Sequence, residues 1–448
     1  MNIKVHKILF LLLIPLALSN CYAGGEKMSV EQRLERLEAA MMQMAQEKQQ
    51  LAEELKTVRS ELQSLKTANA SQQVVATDAE LQEKIKIIVN EQVKTETAKM
   101  PQIPEWVSKT KFSGDFRYRY EYTDNQANGR KQNRNRIRTR LFLQSQVNDE
   151  FDLGFRLASG NTESPTGTNQ DMEGAFSKKN VWLDLAYFRY RPQKYPSLTV
   201  TGGKIKNPYK FPGSSDLIFD LDVNPEGLAV LLTNNLNDWI RLDSTAGTFW
   251  VEERTSDADT SLWAVQTAAT FMFDTQNDLE LTLGAGYFDY GNTKGKVALG
   301  SNNTKFYGNT AVGGKYANDY DIFEGYNQLT WQYGGRPVTL YSDYIKNISA
   351  TTNDDTGYLF GIDYGKRTKP GSWKVGYNYR RLEADAAVAY FTDATIAGGG
   401  TNLRGHKFSF QYQIDKNIWT SFGVYLADKD LKNEKGHNVF TADLSFKF

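Results

Sequence analysis

Cysteine is almost absent from this chain: one residue, Cys21, in 448. Histidine is nearly as scarce, with His6, His406 and His437 the full set. A single thiol excludes an internal disulfide framework and paired thiolate ligands. The two histidines beyond the N-terminal segment stand alone and read as exposed loop-edge residues. No G-x-S-x-G elbow, H-E-x-x-H helix or phosphate-cradling loop accompanies them. The expectation is therefore no enzyme, no catalytic residues and no cofactor. An excess of charge of one sign is missing too, since Lys plus Arg and Asp plus Glu both number 53. A balanced chain has no global field to attract nucleic acid. Long apolar runs are also missing. Mean hydropathy is −0.55, and past the N-terminus no run is long enough for a spanning helix.

The N-terminus carries the one apolar run. Lys4, His6 and Lys7 precede Ile8 to Leu18, and Cys21-Tyr22-Ala23 places small residues for cleavage. Residues 1–23 read as a secretory signal peptide cut after Ala23. Cys21 is set aside as a lipoprotein cysteine because Asn20 stands where a small residue is needed. The mature chain then has no thiol.

Residues 24–104 read as an α-helical stalk. Leu34, Met41, Lys48, Leu55, Leu62 and Asn69 fall at a, and Val30, Leu37, Met44, Leu51, Val58 and Leu65 at d. Such a seam needs a partner helix. Glu54 before Arg59 and Glu61 before Lys66 favour parallel chains, and polar Lys48 and Asn69 fix register. A second helical stretch carries Leu81, Ile85 and Ile88; Pro101 and Pro104 end it, because proline lacks the N–H a helix needs. Trp106 follows as a membrane-interface anchor.

Beyond it the texture is period two and aromatic. Phe112, Phe116, Tyr118, Tyr120 and Tyr122 alternate with Lys111, Ser113, Asp115, Arg117, Arg119 and Glu121. Ile137, Leu141 and Leu143 alternate with Arg136, Arg138 and Arg140. At the end, Phe440, Ala442, Leu444, Phe446 and Phe448 share one face, with Thr441, Asp443, Ser445 and Lys447 on the other. Alternate side chains of a strand point to opposite faces. A strand greasy on one side and polar on the other suits a wall with lipid outside and water inside. The remaining segments, near 180–190, 197–206, 227–233, 239–250, 262–273, 279–290, 320–333, 337–347, 356–367, 371–382, 404–414 and 418–427, bring the expected strands to sixteen with Phe151 to Leu157.

The connectors alternate in length. Those at 148–150, 191–196, 234–238, 274–278, 334–336, 368–370 and 415–417 are short. Those at 123–134, 160–179, 207–226, 291–319 and 383–403 are long and rich in Gly, Asn, Asp and Thr. Short turns on one rim and long loops on the other predict an all-β transmembrane barrel over 105–448. Its sixteen antiparallel strands close first to last, its termini and stalk lie in the periplasm, and its water-filled lumen is too wide for side chains to plug.

Gly203 to Val230, GKIKNPYKFPGSSDLIFDLDVNPEGLAV, resembles a signature of the "putative porin" family of Gram-negative outer-membrane barrels, whose members often follow a coiled coil. The resemblance covers about 105–448 and implies a homotrimer. It also implies that Phe448 is similar to the signal read by the barrel assembly machinery, and that the third long loop enters the lumen as a constriction. Asp216, Asp220, Asp222 and Glu226 would then face Arg117, Arg119, Arg136, Arg138 and Arg140, with Lys204 and Lys206 beside them. Opposed charge rows sort solutes by charge. Against this stands the plain reading that any wet lumen is polar. Calcium binding by Asp216, Asp220 and Asp222 is disfavoured because Ile218, Phe219 and Leu221 interrupt them without a calcium-loop glycine. The expected function is passive diffusion of small hydrophilic solutes and ions. The alternative is a structural tether whose stalk touches peptidoglycan.

Overall fold

The computed structural model describes residues 109–448, apart from 162–163, 275–278 and 301–303. The expected signal peptide over 1–23, the expected coiled coil within 24–104 and Trp106 lie outside the described residues.

Sixteen wall strands follow one another: β1 (Thr110–Asn125), β2 (Arg130–Gln146), β3 (Phe151–Ser159), β4 (Val181–Tyr190), β5 (Leu198–Lys204), β6 (Glu226–Asn237), β7 (Ile240–Glu252) and β8 (Thr260–Asp274). Next come β9 (Leu279–Gly291), β10 (Tyr320–Tyr333), β11 (Arg336–Asn347), β12 (Thr356–Gly365), β13 (Trp373–Leu382), β14 (Leu403–Asp415), β15 (Ile418–Lys429) and β16 (Lys435–Lys447). Each is antiparallel to its neighbours, and β1 pairs with β16, so the sheet is closed. Closure satisfies every edge N–H and C=O, which lipid cannot do.

The closing seam runs from Asp115 opposite Lys447 to Asn125 opposite His437. Its two faces use different chemistry. Outside, Phe112 meets Phe448 at 6.3 Å between ring centres, Phe116 meets Phe446 at 6.1 Å and Tyr120 meets Phe440 at 6.5 Å. Inside, Arg119 donates through Nε and Nη2 to the two oxygens of Asp443, at 2.7 and 2.8 Å. Phe448 extends the ladder by exchanging backbone hydrogen bonds of 3.0 and 3.1 Å with Gly114.

Long loops join β5 to β6 (205–225), β9 to β10 (292–319) and β13 to β14 (383–402), all after odd strands. The long loop expected at 123–134 is instead a tight connection at 126–129. β1 and β2 keep pairing up to Asn125 opposite Arg130. Polar composition there reflects an inward face and hairpin stem that remain wet, because ladder hydrogen bonds need no apolar side chains.

The lumen also departs from expectation. Wall side chains alone do not plug it, but loops do so on one side. Leu217, Ile218, Phe219 and Val223 from loop 205–225 pack with Leu299 and Tyr316 from loop 292–319 and with Ala386, Ala387, Val388 and Ile396 from loop 383–402. They cover an inner face that is itself apolar, with Phe249 on β7, Leu262 on β8, Phe288 and Tyr290 on β9, Ile322 on β10 and Ile345 on β11. The inner face of these strands mixes such apolar side chains with buried polar ones, Gln266, Glu324 and Asp343 among them. Gln266 and Asp343 meet loop 205–225, and Glu324 accepts from Gln266. The open cavity lies on the opposite side, along β1, β2 and β14–β16.

Candidate functional site in the charged half of the lumen

The signature motif builds the stem of loop 205–225. Gly203 sits opposite Gly227 and Lys204 opposite Glu226 in the β5–β6 ladder. Lys204 Nζ reaches Glu226 Oε1 at 2.7 Å. Gly203 has φ +115°, and a Cβ there would lie 2.3 Å from the Ala186 carbonyl oxygen; one at Gly227 would lie 2.1 Å from that of Thr248. Only glycine allows strands to approach so closely where the loop departs.

From this stem the loop crosses to walls that are not its neighbours. Tyr209 OH donates to the Ala264 carbonyl at 3.3 Å, the Gly213 N–H to Gln328 Oε1 at 2.9 Å, and Ser215 Oγ to Asp343 Oδ2 at 2.6 Å. Its anchor is Arg380 on β13, 1% exposed, whose Nη1 donates to Asp216 and to Asp393 Oδ2, the latter at 3.1 Å. Asp393 belongs to loop 383–402, so one guanidinium ties two loops to the wall. Asp220 closes a turn: its Oδ1 accepts the Asp222 N–H at 2.8 Å and its Oδ2 the Ala394 N–H at 3.0 Å. Burial, and then the carboxylates of Asp393 and Asp222, hold the Asp220 carboxyl well above the usual carboxylate range.

Facing these acids stands the β1–β2 wall. Arg138 and Arg140 share Asp115, with Nε distances of 3.1 and 2.8 Å to its two oxygens. Arg134 and Arg136 share Glu121, and Arg136 Nε also reaches Asp171 at 2.6 Å. Arg117 donates to Asn169, and its Nη1 lies 3.7 Å from Asp443. Asp222 bridges the two groups: Arg140 Nη1 lies 3.4 Å away, and Thr168 Oγ1 donates to it at 3.2 Å.

A cavity of about 850 Å³ brings together Arg117, Arg119, Arg136 and Arg138 with Asp216, Asp220 and Asp222. Arg140 lines a smaller cavity of about 390 Å³ below it. Lys204 and Glu226 are engaged with each other at the stem, and Lys206 is exposed; none of the three lines either cavity.

Other contributors escaped the sequence reading. Arg380, Asp393, Lys407, Glu121, Asp443 and Asn169 line or build the cavity. Parity marked Asp443 and Glu121 as polar-face residues, but only closure shows what they meet. His437 corrects another expectation. It is no loop-edge residue but lies within β16, partly buried on the cavity wall. His406 lies within β14 on the outer face, its Nδ1 3.0 Å from Tyr377 OH.

The two cavities are polar, contain opposed charges and lie along the barrel wall. Among solved structures, this chain is similar to the Pseudomonas putida OprB structure at high pH, with a TM-score of 0.51 and 11% identity. That likeness covers 77% of this chain and 96% of the other. A triple mutant of Rhodopseudomonas blastica porin aligns over 76% of this chain and all of its own, with a TM-score of 0.45 and 13% identity. At these identities only the fold is shown. A comparison with curated proteins finds no match. A family model described as "Putative porin" matches residues 27–131, 122–323 and 328–448. The barrel and that match, which spans most of the chain, agree: the chain belongs to the "Putative porin" family, whose fold is that of a channel rather than an enzyme.

Proposed function

We propose that this protein is an outer-membrane porin through which small hydrophilic solutes and ions diffuse passively, narrowed by loop 205–225. The observation that carries the reading is the pairing of an inward loop, held by Arg380, with an arginine-rich wall across an open, polar-lined gap. Arg117, Arg119, Arg136, Arg138 and Arg140 form the basic row; Asp216, Asp220 and Asp222 form the acidic one. Lys204, Lys206 and Glu226 fall outside this core of the site and support the loop stem. The short-turn rim faces the periplasm, as the loop-length rule for such barrels requires.

A homotrimer joined through barrel and stalk, recognition of Phe448 by the assembly machinery and contact of the stalk with peptidoglycan belong to the same proposal. The heptads of Val30 to Asn69 support the first and last of these. Purified protein in planar bilayers is expected to show stepwise conductance in groups of three. Well-folded trimers that never conduct would abolish the channel reading and leave the tether.

A further inference from the structure

The upper cavity is close to charge balance, with seven Lys and Arg side chains against six carboxylates on its lining. The smaller cavity at the short-turn rim is not. Arg138, Arg140, Arg367, Lys416 and Lys447 line it against one acid, Asp115. Asp115 is already shared by Arg138 and Arg140. No carboxylate among the described residues pairs with Arg367, Lys416 or Lys447. Asp415, the nearest acid in sequence, turns its Oδ1 to the Lys416 N–H at 2.7 Å.

Arg367 is the built element of this group. Its guanidinium lies over the Trp419 ring at 4.3 Å and donates to the side-chain oxygens of Gln411 and Gln413. Stacking and two neutral acceptors hold its plane without neutralising it. A guanidinium so fixed presents its remaining N–H groups as a fork that matches an oxyanion. Trp419 and Arg138 line both cavities, so this group adjoins the charged gap above.

We infer that the short-turn mouth is an anion-collecting vestibule, in which Arg367, Lys416 and Lys447 bind small oxyanions, phosphate or carboxylate, and make the pore favour anions. The inference rests on the channel reading and adds a substrate class to it. Unpaired charges near a narrow aqueous mouth raise the local concentration of counter-ions, an effect that fades as salt shortens the screening length.

The test uses the full-length protein in planar bilayers, in a potassium chloride gradient at low ionic strength. Two variants are compared with it: K416Q/K447Q, which changes only exposed side chains, and R367Q. Each should lower the anion-to-cation permeability ratio, by about twofold or more for the lysine pair, with the difference shrinking at high salt. Inorganic phosphate and acetate, added separately on the short-turn side, should reduce chloride current in the parent and less so in the variants. The more potent of the two identifies the oxyanion. Conducting channels whose reversal potential and anion block are the same in parent and both variants would overturn the vestibule while leaving the porin reading intact. A parent that does not conduct would overturn both.

Discussion

At the scale of single residues, the inward charges of β2 stand against carboxylates of the neighbouring strand and of the loops. Arg136, Arg138 and Arg140 point inward at every second position of β2, and four carboxylates, on Glu121, Asp171, Asp115 and Asp222, attend them. Neutralising the three arginines together to Gln should move the reversal potential toward cations; an unchanged potential would remove them from the conducting path. On the channel reading, Asp220 should make the pore sensitive to pH. Its carboxyl is held well above the usual carboxylate range by burial and by Asp393, Asp222 and Asp216, so it gains its charge at higher pH than an ordinary carboxyl. Cation permeability should therefore climb as pH rises beyond the range in which ordinary carboxylates ionise. Asp220→Asn should flatten that climb, read as reversal potential against pH. Gly203 carries the backbone equivalent of a charged site: φ +115° and no room for a methyl. Gly203→Ala should cost about 1–3 kcal/mol, measured as a lower unfolding temperature of the barrel.

At the scale of elements, the strands and the loops follow different rules. Sixteen strands lie within a few residues of where alternation places them, because one face meets lipid and the other water or core throughout. The exception, 123–134, was misread from composition: polar residues there pair strand to strand across the β1–β2 hairpin. Loop 205–225 obeys no such local rule. Its course depends on Gln328, Asp343 and Arg380, which lie more than a hundred residues away along the chain. Arg380→Gln should leave the strands in place but release the loop, because removing one partner of a buried ion pair costs about 3–5 kcal/mol. The measured signs would be a noisier, larger single-channel step and faster proteolysis within 205–225. A quiet channel of parental size would mean that the other anchors hold the loop alone.

At the scale of the whole molecule, closure is the deciding event. The β1–β16 seam joins residues more than three hundred positions apart, with aromatic pairs outside and the Arg119–Asp443 fork inside. Phe448→Ala removes the pair with Phe112 and about 0.5–1.5 kcal/mol of ring contact, while leaving the register from Asp115 onward. It should slow formation of the heat-modifiable barrel more than it lowers final stability, as a refolding time course would show.

By itself, the sequence determined most of the wall: strand number, the faces of each strand, most loop lengths (the β1–β2 connection excepted) and the pairing of the last strand with the first. Those features arise from a two-residue period and from the solvents on either side, and both act position by position along the chain. Tertiary structure alone decided that three loops make an apolar core against β7–β11 and leave the open cavity on one side. It also decided that Arg380 ties two loops to one wall strand, and that Arg367, Lys416 and Lys447 gather without a carboxylate. Pattern shows which way a side chain points, whereas its partner across the lumen depends on how the sheet closes and where distant loops come to rest.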